Sequence, residues 1–128
     1  MWYKITKNRG FPKSEITKLR RSVKWKPRAG LEKAFKNSFS YYSMWNGREL
    51  IGSVRVISDR SLHAYIVDLI IHSRYQNRGL GRLLLKKVVS DLRREKFAYI
   101  TLTFDPGLED FYKKCGFKIV GGGVIVAG

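Results

Sequence analysis

The strongest chemical signal in the chain is the run Gln76-Asn77-Arg78-Gly79-Leu80-Gly81, directly ahead of an apolar repeat with helical spacing. Glycines at 79 and 81 let the backbone turn tightly and come close to a ligand. A helix that starts there offers unpaired N–H groups and the positive end of its dipole, which together hold a phosphate or pyrophosphate. Arg74, Arg78 and Arg82 flank the turn. A glycine-rich turn by itself is also an ordinary strand-to-helix connection, but that reading does not explain three arginines at the same turn.

The charge of the whole chain points the same way. Lysine and arginine number 26 against 10 acids, a formal net charge of +16. Residues 1–37 hold twelve basic and two acidic side chains, and residues 73–97 hold eight and two. The segments 38–72 and 98–128 each balance three against three. Two cationic blocks attract anions such as a phosphorylated cofactor, an acidic substrate, nucleic acid or an anionic surface. The second block surrounds the glycine turn. The first block has a bland reading, a solvated and solubility-conferring face, and a specific one, a partner surface in which Lys24-Trp25-Lys26 interleaves an aromatic with bases.

Other chemistries are set aside by composition. Cys115 is the only cysteine, so neither an internal disulfide nor a four-cysteine metal site can form. His63 and His72 are the only histidines, too few for a protein-built zinc site. Cys115 reads as packing at a helix end, since no paired histidine activates it. No apolar run approaches the roughly 20 residues of a membrane helix, and the start lacks a secretory leader, so the expectation is a cytosolic protein without a membrane partner.

The elements that must position the turn follow from patterning. At 128 residues with 44% apolar content the chain fits one domain over residues 1–128. Residues 2–6 suggest a first strand. Ile16, Leu19 and Val23 give an amphipathic helix over residues 14–24, and Leu31, Ala34 and Phe35 a short second helix. Residues 39–45 and 50–57 flank Asn46-Gly47 as a hairpin. Leu62–Ile71, nearly all apolar apart from Asp68, reads as a strand covered on both faces. Leu80, Leu83, Leu84, Val88 and Leu92 mark one face of a helix from Gly79 to about Lys96. Residues 98–104 form a strand, 108–115 a helix stopped by Gly116, and 117–120 with 124–126 a last hairpin around three glycines. The class is α/β (α+β), a mixed sheet flanked by helices.

The chain resembles the GCN5-related N-acetyltransferases. Their cofactor signature is matched by Gln76, Gly79 and Gly81 after the strand Val67-Asp68-Leu69-Ile70-Ile71. Their second signature, an aromatic-Tyr pair shortly before Gly-Phe, is matched by Phe111-Tyr112-Lys113-Lys114-Cys115-Gly116-Phe117. The pieces Ser22-Val23-Lys24-Trp25, Leu50-Ile51-Gly52-Ser53-Val54-Arg55, Asp68 and Asp105 resemble a small branch that includes plant and cyanobacterial serotonin N-acetyltransferase-like proteins and plastid-encoded relatives. The last residues, Val124-Ile125-Val126-Ala127-Gly128, depart from that branch.

The resemblance implies acetyl-CoA as cofactor and a small-molecule or peptide amine as acceptor, in a monomer or a homodimer. It implies that the fourth strand splays from its neighbour, so that backbone groups at Leu69, Ile70 and Ile71 meet the pantetheine arm and polarise the thioester. The cofactor is expected to run on past Arg74, Gln76, Asn77, Arg78, Gly79, Leu80, Gly81 and Arg82, with Asp105 and Tyr112 beside it. Tyr112 takes the family's general-acid position; its other reading is a packing aromatic. Relatives place a Glu or His base on the face of residues 65, 67 and 69, here Tyr65, Val67 and Leu69, while alternation turns Asp68 away. A water chain assisted by Asp68, Tyr65 or Asp105 is the expected proton route. Trp25 and Tyr65 are candidate substrate contacts, and an aromatic amine also fits Tyr41 and Tyr42. At +16 the chain repels polycations, which favours neutral or anionic amines. The alternatives are an acetyl-CoA-binding or nucleic-acid-binding module without catalysis, and an enzyme that uses a longer acyl group.

Overall fold

The computed structural model describes residues 3–128. Five strands form one sheet in sequence order: β1 (Lys4–Lys7), β2 (Ser40–Asn46), β3 (Glu49–Ser58), β4 (His63–Ile71) and β5 (Tyr99–Leu102). The first four are mutually antiparallel, and β5 runs parallel to β4. Helices α1 (Lys13–Ser22) and α2 (Leu31–Lys36) precede β2, α3 (Leu80–Arg94) crosses between β4 and β5, and α4 (Glu109–Lys114) follows β5. The mixed α/β class is as the sequence indicates, and a helical crossover is what a parallel pair requires. Trp2, expected in the first strand, lies outside the described residues.

Each face of the sheet has its own core. Ile51, Val54, Val56, Ala64 and Ile66 pack with Leu84, Val88 and Leu92 of α3. On the other face Leu50 and Ile70 meet Ile16 and Leu19 of α1 and Phe35 of α2. The buried stripe of α3 is Leu80, Leu84, Leu85, Val88 and Leu92. Leu83, expected within it, is about half exposed, because the four-residue spacing from Leu80 continues through Leu84.

A buried polar group joins the two ends of this packing. The Tyr42 hydroxyl, on a side chain with no exposure, donates to Asp91 Oδ2 at 2.9 Å. Lys87 donates to the same carboxylate at 3.2 Å, and Lys7 and Arg94 lie at 3.7 and 3.6 Å. Burial alone would raise Asp91, but the hydrogen bonds from Tyr42 and Lys87 and the charges of Lys87 and Lys7 hold it below the usual carboxylate range. Tyr42 is therefore structural, which removes it from the acceptor aromatics.

The last hairpin does not form. After Cys115 the chain has no regular structure, and Val120, Val124, Ile125 and Val126 are largely exposed. Gly121, Gly122 and Gly123 lose more conformational freedom than other residues when ordered into a strand. Phe117 and Ile119 still pack on the α3-side core, and Arg28 Nη1 donates to the Gly128 main-chain oxygen at 2.7 Å.

Tyr42→Phe leaves the buried Asp91 carboxylate one donor short and should cost about 1–3 kcal/mol in urea unfolding at neutral pH. Because Asp91 is held low, its contribution is full above about pH 4 and is lost as pH falls through the folded value. The difference between wild type and variant should shrink in acid. An unchanged midpoint at neutral pH would remove the pair from the stability of the fold.

Candidate active site

The site begins where two strands part. The β4–β5 ladder runs from His63↔Tyr99 to Ile66↔Leu102 and stops, while β4 continues to Ile71. The edge of Val67–Ile71 that faces away from β3 thus has no strand partner among the described residues. Near the crotch of this fork the hydroxyls of Tyr65, in β4, and Thr103, one residue past the end of β5, lie 2.7 Å apart.

A bulge sets the geometry of the open arm. On the β3 side Ser53 pairs with Ile70 and Arg55 with Val67, so two residues of β4 oppose one of β3. Asp68 occupies the bulge with φ +57°, in the left-handed region that aspartate tolerates better than most residues. The bulge reverses the alternation of β4. Ala64 and Ile66 face α3 before it, and Leu69 and Ile71 face α3 after it. This corrects the expectation of one face for 65, 67 and 69. Leu69 turns to the α3 side, and Asp68 joins the α1 side, where its Oδ2 accepts from Arg55 Nε at 3.0 Å.

Beyond Ile71 the chain is pinned before it enters α3. Gln76 Nε2 donates to the Ile71 carbonyl at 3.0 Å, so this signature side chain closes the turn. Arg74 is held by Glu49 at 2.6 Å, and Tyr75 donates to the other Glu49 oxygen at 2.9 Å. Arg74 is therefore engaged by the β2–β3 hairpin. Asn77 and Gly79 adopt φ +62° and +78°, and Gly79 caps α3 without any side-chain bond to its first amides. Those amides offer the anion-holding arrangement expected from the sequence. The Arg78 guanidinium lies 5.1 Å from the Tyr75 ring centroid. Arg82 enters a groove of about 630 Å³ between α3 and α4, where Lys86, Arg93 and Lys114 add three more cations and no acid lines the wall. Lys114 was not legible as part of this site, since only the docking of α4 on α3 brings it there.

Helix α4 closes the fork. A Cβ on Gly81 would lie 3.4 Å from Phe111 Cζ and 3.5 Å from Ile71 Cγ1, so this glycine brings the start of α3, the end of β4 and α4 together. Tyr112 is 7% exposed, its ring 4.9 Å from that of Phe104 and 5.0 Å from that of Phe111. Its hydroxyl has no hydrogen-bond partner among the described residues. Burial, then the charges of Cys115 and Asp105, push its phenol above the ordinary value. Asp105, exposed at the mouth of the turn that leads to α4, acts on Tyr112 through its field rather than by contact. Burial likewise raises the Cys115 thiol, which keeps it a packing group as expected.

On the α1 side Trp25 is 38% exposed, with the Arg20 guanidinium 5.2 Å from its ring centroid. Nothing along the chain announces that Arg20 feels the charges of both Asp68 and Arg55; Arg20 and Arg55 are 35 residues apart, and α1 packing on β3 and β4 brings them within range.

A mixed sheet forked beside an uncapped helix start is an acetyltransferase fold. More particularly, the chain belongs to the acetyltransferase (GNAT) domain family, whose model matches residues 16–128. It is 35% identical over 109 residues to an uncharacterized N-acetyltransferase, ycf52, of Gracilaria tenuistipitata var. liui, which covers 80% of this chain and 60% of that protein. It is 29% identical over 110 residues to serotonin N-acetyltransferase 2, chloroplastic, of Oryza sativa subsp. japonica, covering 86% of this chain and 51% of that protein. The chain thus spans between half and two thirds of these relatives. A GNAT family acetyltransferase from Streptococcus pneumoniae TIGR4 shares the fold with a TM-score of 0.86 at 22% identity, covering 98% of both chains. Among the described residues no helix is long and apolar enough to cross a membrane, and no group of three or more His, Cys, Asp or Glu could hold a metal ion.

Gly81→Val drives a branched side chain into Phe111 and Ile71 at the start of α3. It should weaken coenzyme A binding about ten-fold or more in calorimetry while circular dichroism stays native. An unchanged affinity in the folded variant would exclude this turn as a coenzyme A site.

Proposed function

We propose that the protein is an N-acetyltransferase that moves the acetyl group of acetyl-CoA to a primary amine of a small molecule or polypeptide by direct attack. The observation that carries this reading is one continuous track. The unpaired edge of Val67–Ile71 leads to the uncapped start of α3, and the uncommitted hydroxyl of Tyr112 lies on the helix that packs against that start. The residues present fit the cofactor. The amides at 79–82, with Arg78 and Arg82, suit its pyrophosphate, and the groove lined by Lys86, Arg93 and Lys114 suits its remaining phosphate.

Acetyl-CoA supplies an acetyl group activated as a thioester, which an amine can attack without a covalent enzyme intermediate. The chain's part is positioning and electrostatics. Main-chain groups of Leu69, Ile70 and Ile71 on the open edge align the acyl end and polarise its carbonyl. Tyr112 keeps its proton at neutral pH and hydrogen-bonds the departing sulfur. A thiol is the stronger acid, at about 8.5 against about 10 for a phenol, so Tyr112 stabilises the developing thiolate and solvent completes its protonation.

The acceptor's proton must leave by another route. Tyr65 and Val67 lie on the α1 side and offer no base, and Arg55 occupies one oxygen of Asp68. We infer a water path on which the second Asp68 oxygen, Tyr65 and Asp105 act as relay points. Asp68 also positions the bulge that opens the β4 edge.

Tyr112→Phe should lower turnover about 10²-fold at saturating acetyl-CoA and leave coenzyme A affinity within a factor of about two. Because Tyr112 is raised, the rate should climb with pH toward the acceptor's own value and show no descending limb below about pH 10. Equal turnover in the two proteins, measured as thiol release, would remove Tyr112 from the mechanism.

A further inference from the structure

A second cavity, of about 350 Å³, lies between α1 and the loop that leads to α2. Its apolar wall is Phe11, Ile16, Trp25 and Leu31. Its polar wall is cationic, with Lys13, Arg20, Arg21 and Arg28 against the single acid Glu32. Glu32 is already paired with Lys36 at 2.9 Å, so the cations face the cavity without an acid of their own.

Two of these arginines have unusual surroundings. The Arg20 guanidinium lies over the Trp25 ring, its Nη2 donates to the Lys26 carbonyl at 3.3 Å, and its Nε is buried with no hydrogen-bond partner. With Nε shut off from the cavity and Nη2 engaged by Lys26, Nη1 is the Arg20 nitrogen left without a hydrogen bond among the described residues. Arg28 already holds one, the Gly128 main-chain oxygen at 2.7 Å, which shows the geometry a ligand carboxylate oxygen would take there. Burial pulls Arg20 below its ordinary range, and the fields of Asp68, Arg28 and Arg55 all reach it.

We propose that this cavity binds the anionic end of the acetyl acceptor: an amine whose aromatic or apolar body rests on Trp25 and whose carboxylate is held by Arg20 and Arg28. The assignment rests on the N-acetyltransferase reading above and narrows its substrate class. A guanidinium held over an aromatic ring and tied by Nη2 can offer its remaining Nη1 hydrogens to a carboxylate oxygen with little further ordering, beside Arg28. A purely cationic amine would enter a cavity lined by four unopposed cations and be repelled. The carboxylate stays between α1 and the loop, on the face of the sheet that also carries Asp68.

Binding and transfer are read separately. Calorimetry compares indolepropionate, an anion with no amine, with tryptamine, a cation of similar shape. Indolepropionate should bind about ten-fold tighter or more, and Arg28→Gln and Arg20→Gln should each weaken it about ten-fold without changing tryptamine. Arg28 is exposed, so its variant keeps the fold even if Arg20→Gln does not. Equal affinity for the two probes, or an indolepropionate affinity untouched by Arg28→Gln, overturns the anion site. Thiol release from acetyl-CoA is then measured with phenethylamine and with its para-carboxylate, and kcat/KM should favour the carboxylate about ten-fold. Thiol release with neither amine, while arginine-dependent binding of indolepropionate persists, overturns N-acetyl transfer and leaves the anion site standing. Release with phenethylamine at least as fast as with its carboxylate, and no arginine-dependent binding, does the reverse.

Discussion

A single extra residue in β4 separates the two sides of the candidate site. Between Val67 and Ile70 the strand holds two residues where β3 holds one, and the Arg55–Asp68 pair at 3.0 Å fastens the irregularity to β3. A left-handed non-glycine residue costs of order 1–2 kcal/mol, so something must hold it. The ion pair does so on the α1 face, while Leu69 and Ile71 are drawn into the α3 core on the other. The twist added by a bulge turns the end of β4 away from β5. Without it Ile71 would not sit against Gly81, and α3 would not start where its amides flank the open edge.

The same constraint sorts the charges. Of the two cationic blocks in the sequence, one wraps the start and outer face of α3, and the other follows α1 and the loop to α2. They lie on opposite faces of the sheet, with the fork between them. Anions would be drawn to both faces, but the two binding surfaces differ. Backbone amides and point-charge lysines on the α3 side suit phosphate, and stacked arginine beside an indole on the α1 side suits a planar carboxylate. Asp68 lies between them, tied to Arg55 and within reach of Arg20. Its removal would release Arg55 at the head of the fork and leave Arg20 without an opposing charge, so its importance does not depend on its being a base.

Much of this was legible beforehand because the signals are local. Asn46-Gly47 makes its hairpin, with Asn46 opposite Glu49, and Gly79 caps α3 in the left-handed conformation that the turn needed. Gln76, Gly79, Gly81 and Tyr112 fall where their spacing placed them. The errors share another origin. Alternation along β4 failed at Asp68 because a bulge is a relation between two strands, and nothing in residues 63–71 alone announces it. The last hairpin failed because β-propensity in Val124-Ile125-Val126 says nothing about a free edge or the entropy of three glycines. Tyr42 read as a pocket aromatic until Asp91, 49 residues away, claimed its hydroxyl.

The arginines of α1 show why a site can hide in a basic sequence. Among twelve cations in the first 37 residues, Arg20 and Arg28 have no distinguishing neighbours. What sets Arg20 apart is desolvation, and what sets the exposed Arg28 apart is its bond to the Gly128 main-chain oxygen. A solvated arginine has water for every donor, whereas Arg20 Nε has neither water access nor a protein acceptor. Charge counting treats all twelve alike and leaves the block divided between a solvated face and a partner surface. Packing α1 across β3, with Glu15 accepting from the Leu50 amide at 3.1 Å, fixes the helix so that one arginine is turned inward while its neighbour Arg21 stays exposed. The specificity of the acceptor side then depends on where the helix sits more than on how many cations it carries, and that position is set by the same sheet whose bulge opens the fork.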